Sequence, residues 1–244
     1  MTLLAQRTPR RRAIAREAPA LVAVSHGTSS PAGQVAVAAL VAAIGAARPN
    51  LAVSAGFVDV QQPDAPSALA SLGARAAVVV PLLLSAGYHV HVDLARQSGG
   101  ATVSKALGPD DRLAQILQAR LVESGLRPGD RVVLACAGSR DHRAVDDCRE
   151  MGARLSGLIG RPVRVGFLSA ATPRLADAVE TERSAASSAR VVVSSYLLAP
   201  GYFAGLARAT VADVTTAPLL LPHVAPPAVL VELVLHRYAE ALAR

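Results

Sequence analysis

Leu21-Val22-Ala23-Val24-Ser25-His26-Gly27-Thr28 and Val132-Val133-Leu134-Ala135-Cys136-Ala137-Gly138-Ser139 are two copies of one pattern. Each is a short apolar run that ends in a small polar residue, one variable position, a glycine and a hydroxyl residue. Runs that are apolar at every position, rather than at alternate ones, read as strands of a parallel sheet covered on both faces. The duplication extends outward from there. Gly56-Phe57, then Pro63, pairs with Gly166-Phe167, then Pro173. Val78-Val79-Val80 pairs with Val191-Val192-Val193, and Gly87-Tyr88-His89 with Gly201-Tyr202-Phe203. The offset drifts only from 110 to 114 residues, as small loop insertions allow. Residues 124–130 form the linker, with Gly125, Pro128 and Gly129 as breakers.

Around these landmarks, strands are expected at 20–25, 52–58, 76–84, 131–136, 163–168 and 189–198, with weaker ones at 101–106 and 214–219. Helical periodicity fills 33–47, 65–72, 111–123, 144–159, 174–184 and 226–242. This alternation predicts an α/β chain of two tandem flavodoxin-like parallel-sheet domains related by internal duplication. The domains are expected at 19–125 and 131–244, after a basic arm at 1–18 that is expected to be disordered.

Composition narrows the function classes. The 244 residues are 52% hydrophobic but only 3% aromatic, so the cores must be built from Ala, Val and Leu. No apolar stretch reads as a membrane span. The first residues carry Arg7, Arg10, Arg11, Arg12 and Arg16 and lack the apolar region of a secretory signal, so a cytoplasmic location is expected. Residues 1–18 hold five Arg and one Glu, so without them the formal charge falls from +7 to +3. A mildly basic body with few rings to stack bases on argues against a nucleic-acid partner. Cys136 and Cys148 match no zinc spacing and read as buried, reduced thiols.

In a doubly wound sheet, ligands bind outside the carboxyl ends of the strands, where strand order switches. With the order 2-1-3-4, the first and third strands are neighbours. Ser25-His26-Gly27-Thr28 follows the first, and Gly87-Tyr88-His89 follows the third. His26 and His89 are therefore expected to face one crevice. If a helix starts near His89, Asp93 shares its face and can orient it, while His91 points elsewhere and reads as a surface residue. Asp59, at the end of the second strand, is either a third polar group at the crevice or a turn residue. The second copy has Ala137 for His26, Phe203 for His89 and Ser169 for Asp59. The scaffold landmarks are kept while each polar group is replaced, so one site in the first half, roofed by the second, is expected. Walker, Rossmann and nucleophile-elbow patterns are absent, and Ser25 stands where a histidine phosphatase places Arg.

The first half also resembles the class II sirohydrochlorin chelatases. The matching features are His26-Gly27-Thr28, Phe57-Val58-Asp59 followed by Pro63, and Val78-Val79-Val80-Pro81-Leu82-Leu83-Leu84. Gly87-Tyr88-His89-Val90 followed by Asp93, and Leu107-Gly108-Pro109 followed by Asp111, complete the set. The chain departs from the family's usual Glu at Asp59 and Gly at Tyr88. The resemblance implies the long two-domain form, a monomer with a pseudo-twofold between its halves. It implies that His26 and His89 hold the metal and take up the pyrrole protons, with Asp59 beside them. Ser25, Gly27, Thr28, Gly87, Tyr88 and Arg96 are then expected to bind the tetrapyrrole, and Arg112 and Arg140 are further candidates for its carboxylates. The metal is a substrate rather than a resident cofactor: Fe²⁺ giving sirohaem is favoured over Co²⁺ for cobalamin, with Ni²⁺ as a further option. A non-catalytic carrier of metal or tetrapyrrole is the remaining alternative.

Overall fold

The computed structural model describes residues 17–85, 94–96 and 98–243. The basic arm thus falls outside the described residues up to residue 16. The first sheet comprises β1 (Ala20–Ser25), β2 (Val53–Phe57), β3 (Ala77–Pro81) and β4 (Thr102–Val103), parallel in the order β2-β1-β3-β4. The second comprises β5 (Arg131–Cys136), β6 (Val163–Phe167), β7 (Val191–Tyr196) and β8 (Val214–Thr215), in the order β6-β5-β7-β8. The expected 2-1-3-4 order is therefore present twice. The central strands are buried along their length, as parallel strands covered by helices must be.

The helices are α1 (Pro31–Ala47), α2 (Ala65–Ala70), α3 (Asp111–Glu123), α4 (His142–Ile159), α5 (Leu175–Ala185), α6 (Tyr202–Ala209) and α7 (Ala228–Leu242). α1 begins two residues earlier than its apolar period suggests. Ser30 caps it by accepting from the Gly33 N–H, and Pro31 fits the first turn, where its missing N–H costs nothing. Asp141 likewise starts α4 at His142 by accepting from the Arg143 N–H. β3 stops at Pro81, which has no N–H to continue the ladder. The weak strands shrink to two residues each. α6 has no counterpart among the expected helices: it is two turns long, with Gly201 before it and Gly205 inside.

The register repeats as well as the order. β1 sets Val24 beside Gly56 and Ser25 beside Phe57, and β5 sets Ala135 beside Gly166 and Cys136 beside Phe167. The Phe57 N–H donates to the Pro63 carbonyl and the Phe167 N–H to the Pro173 carbonyl, both at 3.0 Å, and both prolines follow cis peptide bonds.

The halves exchange their last helices. α3, which ends the first half, packs on β7 and α4 of the second, and α7, which ends the second half, packs on β3 and α1 of the first. One arginine secures each exchange. Arg120 of α3 donates to the carbonyls of Pro218 (3.1 Å) and Leu219 (3.0 Å). Arg237 of α7 donates to those of Ala106 (2.9 Å) and Leu107 (3.0 Å). Ala106-Leu107 and Pro218-Leu219 are equivalent, because the Leu107 N–H donates to Leu83 and the Leu219 N–H to Leu197. The pairing is thus reciprocal about a pseudo-twofold, and one core runs through Leu21, Val80 and Leu117 to Leu134, Val192 and Leu233. No described helix is long and apolar enough to cross a membrane.

Candidate active site

The carboxyl ends of β1 and β3 meet those of β5 and β7 around a cavity of about 560 Å³, within the range of small-molecule sites. Ser25, His26, Gly27 and Thr28 line it from the first half. Cys136, Ala137, Gly138 and Ser139 line it from the equivalent turn of the second. No Asp, Glu, Lys or Arg is among the described lining residues, and His26 is the one imidazole.

The His26 turn is fixed from three sides. The His26 carbonyl accepts the Asp59 N–H at 3.0 Å. Gly27 has φ +91°, and a methyl group on its Cα would lie 2.1 Å from the Asp59 carbonyl oxygen, so only glycine fits. The Thr28 N–H donates to Gln61 Oε1 (2.9 Å), and the Thr28 carbonyl accepts from Gln34 Nε2 (2.9 Å). The imidazole itself is exposed and has no hydrogen-bond or ion-pair partner among the described residues. A ring on a fixed backbone, with neither nitrogen bonded among the described residues, can ligate a metal ion or accept a proton.

The structure brings together Ser25, His26, Gly27 and Thr28 of the expected site. Gly87, Tyr88, His89, His91 and Asp93 lie outside the described residues, while Ser85, just before them, lines the cavity. Asp59 stands beside the His26 turn through its backbone, but its exposed carboxylate accepts from the Val60 N–H (2.7 Å) and does not line the cavity. Its side chain thus serves the turn. Among the described residues, no three His, Cys, Asp or Glu side chains gather where they could hold a metal ion. Arg96 is exposed away from the lining, and Arg112 is paired with Asp110 at 2.8 Å. Arg140 follows Ser139 at the cavity wall and is exposed.

The second half adds walls rather than charges. Ser169 Oγ donates to the Ala137 carbonyl (2.8 Å), closing the turn where Asp59 stands in the first half. Cys136 and Cys148 are buried, free thiols, and burial pushes the Cys136 thiol well up, so it is neutral at physiological pH. Burial likewise raises Tyr196, whose hydroxyl donates to the Leu84 carbonyl across the halves at 2.7 Å. Gln61, Tyr202 and Phe203 were not singled out as site residues from sequence. For the aromatic pair the signal was present: Gly201-Tyr202-Phe203 repeats Gly87-Tyr88-His89. For Gln61 there was none, because its partner is a backbone amide.

The model of the CbiX family matches residues 20–124 and again 131–241. A sirohydrochlorin cobaltochelatase of Sulfurisphaera tokodaii is 37% identical over 87 residues, which cover 32% of this chain and 72% of that protein. Among solved structures, SirB from Bacillus subtilis with Fe³⁺ superposes with a TM-score of 0.71 at 22% identity, over 92% of this chain and 96% of that one. The sirohydrochlorin chelatase SirB from Bacillus subtilis subspecies spizizenii, in complex with cobalt, gives 0.70 at 20% identity, over 91% and 94%. At these identities the structural likeness speaks to the fold.

Proposed function

We infer, from the premise that the chain belongs to the CbiX family, that it is a chelatase inserting a divalent metal ion into sirohydrochlorin. The observation that carries this reading is the imidazole of His26, which has no partner among the described residues, in a cavity whose described lining holds no charged side chain. Insertion replaces two pyrrole N–H protons with one M²⁺, so the site must release a metal and collect two protons. Neutral imidazole suits both tasks, because it binds first-row ions and has a pKa near 6.5. His26 and His89 are assigned these roles, each ligating the incoming ion and each accepting one proton. A described lining without carboxylates leaves no competing hard ligand to retain the ion. Asp59 would join them only by giving up its bond to the Val60 N–H.

Ser25, Gly27 and Thr28 shape the floor near the ring, and Gly87 and Tyr88 are assigned to the opposite strand end. The carboxylates of sirohydrochlorin need cations that the described lining does not supply. Arg140 at the wall, and Arg96 farther out, are the candidates. Ferrous iron, giving sirohaem, is the favoured substrate, with Co²⁺ and then Ni²⁺ behind it. The test is to incubate the protein anaerobically with sirohydrochlorin and each ion and to follow the absorbance of the macrocycle. Insertion faster than in protein-free controls is expected, fastest with Fe²⁺. Binding without acceleration would instead make the protein a carrier.

A further inference from the structure

The chain has four tyrosines and three phenylalanines in 244 residues, and of the six the structure describes five are buried or half-buried. Phe167, Tyr196 and Tyr238 are buried, and Phe57 is half-buried. Tyr202 is the exception at 75% exposed, and it stands at the wall of the cavity. At the wall of a cavity of small-molecule size, an exposed ring offers an aromatic face to an occupant. The ring is held by its neighbour: Phe203 lies edge-on to Tyr202, with centroids 5.5 Å apart and planes at 65°. Phe203 in turn packs against the small core of the second sheet, the same core that Ala137 touches.

The backbone beneath the pair is pinned to the first half. A methyl group at Gly33 would lie 2.2 Å from the Pro200 carbonyl oxygen, and one at Gly201 would lie 3.2 Å from Thr28 Oγ1. Tyr202 therefore begins α6 directly against the turn that carries His26. In the repeat, Phe203 occupies the position of His89, so an apolar ring from the second half stands where the first half has an imidazole.

We propose that Tyr202, braced by Phe203, is the platform on which the conjugated face of the tetrapyrrole rests, setting the tilt of the ring over His26. This rests on the chelatase reading above. Ring stacking against an aromatic side chain is worth about a 3- to 10-fold change in affinity. Metal-free sirohydrochlorin, titrated against the whole protein and followed by its absorbance, reads this directly, and insertion kinetics supply a second readout. Tyr202→Ala is expected to weaken binding about 3- to 10-fold and to raise the KM for the macrocycle by a similar factor. The KM for the metal should stay unchanged. Tyr202→Phe, which keeps the ring, should bind as the wild type does, and both variants should melt as the wild type does because the side chain is exposed. Unchanged binding in Tyr202→Ala, or equal losses in the Ala and Phe variants, would overturn the platform while leaving the chelatase reading intact. A wild-type protein that binds no sirohydrochlorin would overturn both.

Discussion

Gly27 and Gly138 make the same turn, at φ +91° and +93°, yet the residue before the first is His26 and the residue before the second is Ala137. The likeness continues around both turns. Val60 and Ala170, each three residues beyond the end of its strand, lie in the left-handed region, at φ 65° and 54°. A β-branched residue there is costly, and beside a candidate site such strain invites a functional explanation. The second half argues otherwise, because it keeps the conformation with no imidazole to position. The strained backbone therefore belongs to the scaffold. At these two turns, what separates the halves is side chains: imidazole against methyl at His26 and Ala137, carboxylate against hydroxyl at Asp59 and Ser169. On the proposed reading, one half supplies the reactive ring, and the other supplies apolar and aromatic wall.

Substitutions at paired positions separate scaffold from chemistry. The largest effect is expected at the glycines. A methyl group would meet carbonyl oxygens at 2.1 Å in Gly27→Ala and 1.9 Å in Gly138→Ala. Each variant should lose at least about 2 kcal/mol of stability in denaturant titration. Per folded molecule, Gly27→Ala should also lose about 10-fold or more in insertion rate by displacing His26, whereas Gly138→Ala should stay within about 3-fold. Equal catalytic losses would mean that the second turn takes part in the chemistry. A smaller effect is expected at the exchanged helices. Arg120→Ala and Arg237→Ala each leave two carbonyls without their donor, at a cost of about 1–2 kcal/mol. Similar losses would support the reciprocal exchange; a large loss in Arg237→Ala alone would show that the second sheet does not depend on its borrowed helix, and one in Arg120→Ala alone that the first does not.

Much of this was legible in sequence, for identifiable reasons. The apolar runs of β1 and β5 could only be covered strands, and the pairing of Gly56-Phe57 with Gly166-Phe167 recurs in the register. His26 stood out because the repeat supplied its own control in Ala137. The helix exchange was not legible. Periodicity shows that α3 and α7 have an apolar face but not whose sheet covers it, and no motif marks Arg120 or Arg237. α6 was missed because two turns containing Gly205 carry too little period. Gln61 and Arg237 act on backbone atoms, which leave no trace in side-chain patterns. The placement of His89 opposite His26 rests on strand order, since His89 lies outside the described residues.

The division between the halves is tested most directly by the rate of metal insertion into sirohydrochlorin in His26→Ala, measured beside Ala137→His. Loss of the exposed His26 ring should leave the melting temperature unchanged and lower insertion by about 100-fold or more. Ala137→His, which adds an imidazole to the second turn, should change the rate by less than about 3-fold and should not restore it in the double variant. Wild-type turnover in His26→Ala would contradict the account.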